Sequence, residues 1–170
     1  MTSPHLLRPF SARQLSLVSG GDRVAAFSIL GGNFRGPSAQ IHGPTLVRRV
    51  RDLSSDSEIV VFFDVPVPDG SMVSAVDDMV SMLEESNLDV IAIAIPATEA
   101  VKRVEGGVVA EGIDRSDLIS LKCPVVIRRE SLENLVAAVG EAAWVDICQF
   151  ASGCGDRVGF YEPSLRAPVG

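Results

Sequence analysis

The chain has 170 residues, 46% of them hydrophobic and 22% charged, which suits one packed domain spanning 1–170 and excludes a disordered chain. The formal net charge is −7 and the sequence pI is about 4.8, so nucleic-acid binding is not expected. Cys123, Cys148 and Cys154 lack C-x-x-C spacing, no secretory apolar stretch opens the chain, and no run reaches the roughly 18 apolar residues of a membrane span; a cytoplasmic protein without membrane contact is expected.

Residues 1–22 mix Pro4, Pro9, Gly20 and Gly21 with Arg and Ser and read as an irregular lead-in. Residues 1–53 hold seven Arg against Asp22 and Asp52, a net of +5, whereas residues 54–170 hold eight basic and twenty acidic groups, a net of −12. That asymmetry fits either an anion site or an Arg-rich segment packed on an acidic body. Val24–Leu30 is a short apolar run that reads as a buried strand, and Gly31–Pro37 is a loop with three glycines and Arg35. A helix is expected from Thr45, its apolar positions being Leu46, Val47, Val50 and Leu53.

Glu58–Asp64 is a continuous apolar run, the pattern of a parallel strand covered on both faces. From Ser71, the residues Met72, Val73, Val76, Met79, Val80 and Leu83 form one helical stripe, and Asn87 reads as its breaker. Asp89–Ile95 is a second buried strand ended by Pro96. Val101–Val104 and Val108–Gly112 flank Glu105-Gly106-Gly107 and read as a projecting β-hairpin. Cys123–Ile127 returns as a strand, and a helix follows around Leu132, Leu135, Val136 and Val139, ending at Gly140. A short helix is expected near Val145–Phe150 and a last strand near Val158–Tyr161. Strands alternating with helices give an α/β sheet.

Asp64 ends a buried strand, where ligands gather in open α/β sheets. Two readings stand level: a carboxylate that holds a metal or accepts from a ribose or polyol hydroxyl, and a solvated cap for the next turn. The Gly31–Gly36 loop has two readings as well, a phosphate cradle of backbone N–H groups with Arg35 beside it, or a plain turn. Its spacing matches neither G-x-x-x-x-G-K-[ST] nor G-x-G-x-x-G. Thr98, Lys102, Arg103, Asp114 and Arg115 gather around the hairpin, either as a phosphate site or as a solvated face. His5 and His42 stand apart from other ligand-type residues, so no metal site is expected.

Three segments of this chain follow one another as they do in a known family. VVFFDVPVPDGSMVSAVDDMV (60–80) looks like a strand, Asp-Ala-Ala-Arg-Pro, helix run; PATEAVKRV (96–104) is similar to Pro-x-Thr-Asp-Thr-x-Lys-Arg-Val; IDRSDLISLKCP (113–124) looks like Val-Asp-Arg-Ser-Gly-Leu-Trp leading to Thr-Pro-Gln. Over about seventy residues the chain thus resembles the 2-C-methyl-D-erythritol 4-phosphate cytidylyltransferases of non-mevalonate isoprenoid synthesis. The resemblance implies an α/β fold with a doubly wound, mostly parallel sheet of nucleotidyltransferase (nucleotide-diphospho-sugar transferase-like) type. It also implies that a projecting β-arm, residues 97–122, makes a homodimer. By the same resemblance Asp64, Thr98 and Arg115 bind substrate, with Arg115 on the methylerythritol phosphate from the neighbouring subunit.

The departures lie in the nucleotide half. The family's Ala-Ala-Gly-x-Gly-x-Arg loop is blurred to ILGGNFRG, where Arg35 stands for the loop arginine. No lysine precedes Lys102, the family's Asp-Ala-Ala-Arg-Pro arginine falls on Val67, and Arg166 at best replaces a second substrate-positioning lysine. Losing one charged stabiliser costs about 100- to 1,000-fold in nucleotidyl transfer. The expected function is therefore a non-catalytic homologue, a dimeric binding or regulatory module for a small phosphorylated ligand. The alternatives are an active nucleotidyltransferase using CTP, Mg²⁺ and a sugar or polyol phosphate through a remodelled loop, and a purely structural interaction protein.

Overall fold

The structure is a computed structural model that describes residues 8–10, 21–28, 40–42, 48, 50–52, 56–65, 68–97, 101–114, 116, 118–139, 144–146 and 157–163. Its central sheet grows out of the apolar runs. Strand β1 (Arg8–Phe10) is followed by β2 (Val24–Ser28), β3 (Gln40–His42) and β4 (Ile59–Phe63), then by helix α1 (Gly70–Glu85) and β5 (Val90–Pro96). The hairpin strands β6 (Val101–Glu105) and β7 (Val108–Ile113) precede β8 (Ile119–Arg128), α2 (Arg129–Val139), β9 (Trp144–Asp146) and β10 (Val158–Tyr161).

Six strands form one open sheet in the order β1-β2-β4-β8-β5-β10. β2, β4, β5 and β10 run the same way, and β1 and β8 run against them. The sheet is thus mostly parallel but mixed. β4, read from sequence as parallel, is parallel to β2 and antiparallel to β8. An apolar run reports burial on both faces, which an inserted antiparallel strand in a covered sheet satisfies equally well.

Alternation along the strands builds two apolar layers. Val24, Ala26, Ile59, Val61, Phe63, Ile91 and Ile93 face α1, whose Val76, Met79, Val80 and Leu83 are buried against them. Ala25, Phe27, Val60, Phe62, Val125 and Ile127 are buried between those positions and so form the other layer. There the Phe27 and Phe62 rings pack 6.2 Å apart. Val50 and Leu132 of α2 are buried outside the α1 cluster, and Arg51 Nε donates to Glu133 Oε1 at 3.0 Å, tying the helical residues 50–52 to α2.

Two sequence expectations are corrected outright. Part of the lead-in is ordered: Arg8, Pro9 and Phe10 pair with Ser28, Phe27 and Ala26, and residues 21–23 form a 3-10 turn. Pro9 is tolerated because β1 is the sheet's edge strand. Val145 and Asp146, expected to open a short helix near Val145–Phe150, lie instead in strand β9: His42 pairs with Trp144 and Gln40 with Asp146, a distant partner that local periodicity cannot reveal.

The boundaries of the arm also change. Ile119–Lys122 belong to β8, pairing with Pro96 through Ile93, and the register shifts at Cys123-Pro124, a bulge that accommodates proline. The projecting part is the β6–β7 hairpin, a separate two-stranded sheet whose residues 102–112 are all exposed. Its two-residue turn, Gly106-Gly107, has φ of 58° and 80°. Positive φ at both positions is the primed hairpin turn that glycine enters without strain.

Candidate functional site

β2, β4, β5 and β10 all end at one edge of the sheet, the carboxyl edge, and β8 starts there. Asp64 follows the last residue of β4, and its side chain is exposed while Phe63 before it is fully buried. The next residue is held as well. The buried Ser28 hydroxyl, at the end of β2, donates to the Val65 carbonyl at 2.6 Å, and the Val65 side chain packs on the α1 cluster. Asp64 is therefore presented from a backbone pinned on both sides. Among the described residues it has no hydrogen-bond or ion-pair partner, so it caps no described turn. A carboxylate so placed can accept from ligand hydroxyls or join a cation.

The acid nearest in sequence does other work. Asp69 Oδ1 accepts from the Met72 amide at 2.9 Å and from the Ser71 hydroxyl at 2.7 Å, an N-cap that fixes the start of α1. The Met72 amide bond, with the Ser71 hydroxyl second, holds this carboxyl below its usual range. At the root of the arm, the Ala97 amide donates to the Leu118 carbonyl at 3.1 Å. Asp114 Oδ1 accepts from the Ser116 amide at 3.0 Å, which lowers the Asp114 pKa. On the hairpin itself Arg103 meets Glu111 at 3.5 Å.

Thr98, Arg115, Arg35, Arg166, Val67 and the 31–37 loop lie outside the described residues. Of the substrate residues expected from sequence, Asp64 is thus the one the structure places. No group of three or more His, Cys, Asp or Glu suited to a metal occurs among the described residues. Nor does any described helix have the length and apolarity to cross a membrane. The Arg-rich first third divides its charge: Arg23 binds Glu84 at 2.5 Å and Glu58 at 3.4 Å, and Arg51 binds Glu133. Those two arginines pack on the acidic body rather than wait for an anion.

Sequence reasoning missed three side chains that shape the sheet's two ends. Ser28 closes the exit of β2 onto that of β4. Tyr161 donates its hydroxyl to Asp78 Oδ2 at 2.8 Å, tying β10 to α1. Arg128, at the end of β8, donates to the Leu83 carbonyl at 2.6 Å, Leu88 at 2.9 Å and Ser86 at 3.3 Å. The Leu83 and Ser86 carbonyls lie at the end of α1, where helix backbone acceptors lack partners and a cation offsets the dipole. A polar residue inside an apolar run (Ser28) or closing one (Arg128) was the available signal; their acceptors, 37 or more positions away in the chain, were beyond it.

No protein-family model matches the chain, and no curated protein matches it in sequence. Solved structures do match. The 2-C-methyl-D-erythritol 4-phosphate cytidylyltransferase of Francisella tularensis superposes with a TM-score of 0.52 at 13% identity, covering 87% of this chain and 75% of that one. The fold is nucleotide-diphospho-sugar transferase-like. The 4-diphosphocytidyl-2C-methyl-D-erythritol synthase of Anaerococcus prevotii DSM 20548 matches at 0.50 and 13% identity over 71% of this chain and 54% of its own. Another synthase of that name, at 0.48 and 16% identity, is covered over 58% of its length by 75% of this chain. The chain therefore spans little more than half of these two. In open α/β sheets generally, ligands gather at the carboxyl edge of the strands, the edge that bears Asp64 here.

Proposed function

We propose that this chain is a non-catalytic, cytidylyltransferase-like protein that works as a dimeric binding or regulatory module for a small phosphorylated ligand. The observation that carries this reading is Asp64, exposed and without a partner among the described residues, on a pinned backbone at the carboxyl edge, in a chain with no lysine before Lys102. Asp64 takes the hydroxyls of a polyol phosphate, and Arg115, joined to the arm root, takes its phosphate. Transfer chemistry is absent because charge stabilisation is most of what a protein can contribute to it, and the lysine and the arginine at position 67 are missing. The hairpin supports a second copy as partner: Val104, Val108 and Val109 are 60%, 68% and 55% exposed. An isolated two-stranded hairpin is marginal in water, and covering such residues stabilises it.

An active nucleotidyltransferase is the second reading, favoured by the fold itself; it alone requires CTP and Mg²⁺. Calorimetry with a polyol phosphate and with CTP plus Mg²⁺, paired with a pyrophosphate-release assay, separates the two. Expected are binding of the polyol phosphate, weakened about ten- to a hundredfold by Arg115→Ala and much less by Arg35→Ala, and no pyrophosphate release. Steady release at enzyme-like rates would establish the second reading. Failure to bind either compound would leave a structural role, for which light scattering showing a stable dimer is the expected sign.

A further inference from the structure

We propose that the outer edge of β10 is an interface between two copies of this chain, joined as an antiparallel ladder with Phe160 on the two-fold axis. β10 ends the sheet order, and no described strand pairs with its outer side. Natural sheets blunt such edges with proline, charge or a bulge, because an open row of N–H and C=O groups recruits another strand. The opposite edge is blunted in this way, since β1 carries Arg8 and Pro9. β10 reads Val-Gly-Phe-Tyr and carries neither proline nor charge. It is also held in place. Gly159 sits so close to Leu88 that a Cβ there would meet Leu88 Cδ1 at 2.5 Å, and the Tyr161 hydroxyl bonds Asp78. The flanking Arg157 is neutralised by Asp89 at 2.8 Å. An edge already in strand form costs little to order on binding.

Two observations choose the occupant and the register. Across the face opposite α1, Phe27, Phe62, Val125, Ala92 and Phe160 form one row through paired positions. The first four are buried, at most 1% exposed, whereas Phe160 is 49% exposed. The apolar row thus runs off the sheet at β10. A second copy with the same row continues it: Phe160 meets Phe160, an aromatic pair across strands. The backbone agrees. The Arg157 carbonyl accepts from the Asp89 amide at 2.8 Å and so points inward. Alternation then turns the N–H and C=O of Val158 and Phe160 outward. Paired residues must share a face, which allows Phe160 opposite Phe160 and Val158 opposite Glu162. Phe160 then forms a hydrogen-bonded pair with its own copy, the N–H···O bonds related by the axis. This contact uses a different strand from the hairpin and does not depend on the ligand reading. A chain that uses both interfaces assembles beyond a dimer.

Light scattering of the full chain over a dilution series tests the assignment, with Val104→Lys plus Val109→Lys disabling the hairpin. That hairpin variant is expected to stay dimeric. Adding Phe160→Lys, which sets two like charges on the axis, should make it monomeric. Phe160→Cys supplies a second measurement. Across a hydrogen-bonded pair the two Cα atoms lie about 5.5 Å apart, within the roughly 4.4–6.8 Å that a disulfide spans. Mild oxidation should therefore link two copies of Phe160→Cys. Val158→Cys, more than about 13 Å from its equivalent, should link no more than wild type. A monomeric hairpin variant would overturn the proposal and leave the hairpin as the dimer contact. Unchanged mass on adding Phe160→Lys, or no linkage of Phe160→Cys above wild type, overturns it as well. If circular dichroism shows Phe160→Lys unfolded, the linkage of Phe160→Cys decides. Wild-type mass kept by the hairpin variant but lost with Phe160→Lys alone would make β10 the sole contact and overturn the hairpin reading instead.

Discussion

The two edges of the central sheet are built for different purposes. At the amino edge the flanking residues, in order across the sheet, are Arg23, Glu58, Arg128, Asp89 and Arg157, a row of alternating sign. Their backbones extend the ladder past the strands: Glu58 N–H to Arg23 O at 2.8 Å, Arg128 N–H to Asp89 O at 2.9 Å, and Asp89 N–H to Arg157 O at 2.8 Å. Side chains close the row, with Arg157 on Asp89 at 2.8 Å and Arg23 on Glu58 and Glu84. The carboxyl edge is closed by neutral groups, Ser28 on Val65 and Ala97 on Leu118, and leaves Asp64 exposed with no partner among the described residues. Where every charge has a partner, sequence has been spent on holding the fold; a pinned carboxylate with no partner among the described residues is the kind of group that ligands meet in open α/β sheets.

Phe62 serves both edges, so its loss should erase the contrast between them. It is fully buried and packs on Phe27 across β2 and β4. Phe62→Ala should cost about 3–5 kcal/mol, most of the stability of an ordinary domain. Urea unfolding followed by circular dichroism should show the midpoint collapse, with ligand binding lost alongside. A midpoint within 1 kcal/mol of wild type, on the order of a surface change, would mean the layer opposite α1 is not a core.

Arg128 separates the edges. Arg128→Ala removes three hydrogen bonds, from Nε and Nη2, to carbonyls at and just beyond the end of α1, and hydrogen bonds from a charged donor are worth about 1.5–3 kcal/mol. Stability should fall by that order while polyol phosphate affinity, measured well below the melting point, stays within about twofold. Equal loss of binding would show that the amino edge shapes the ligand site, contrary to the division drawn above.

How far each edge could be read in sequence follows from how local its causes are. β4, α1 and the hairpin were legible because five apolar residues in a row, a 3.6-residue stripe and a Gly-Gly turn each specify their own conformation. Asp64 was legible for the same reason, as the first charge after a buried run. The direction of β8 was not, because the same apolar pattern serves a parallel or an antiparallel strand. Arg128 read as the polar end of a strand, and nothing near it in the chain announces a helix terminus forty positions earlier. β9 failed too, since its partner β3 lies about a hundred residues away.

Acid should weaken the capping and packing contacts of Asp69 and Glu133. Glu133 is held below its usual range, first by its hydrogen bond to Arg51 and against some desolvation, and Asp69 by the Met72 amide. Both pKa values are depressed in the folded chain. Their share of stability is therefore complete above the unfolded values near pH 4 and disappears as pH falls through the folded ones. Glu133→Gln should lower the melting temperature by about 1–2 °C at pH 7 and flatten its decline below pH 4. A variant whose acid profile overlays wild type would remove the Arg51 contact from the list of those that matter.

The smallest expected effect on stability is also the sharpest test of the comparison. Asp64→Ala removes an exposed carboxylate with no described partner, so unfolding free energy should stay within about 0.5 kcal/mol of wild type. Ser28, Phe63 and Val65 would hold the backbone as before. Affinity for a polyol phosphate should nevertheless fall about tenfold or more, because hydroxyls that donated to a carboxylate would face a methyl group. Asp64→Asn should recover part of it, keeping an acceptor without the charge. A stable Asp64→Ala that binds as well as wild type would leave the carboxylate as a solvated strand end. A destabilised one would mean that the residue is structural after all, and that the carboxyl edge is held together in the same way as the amino edge.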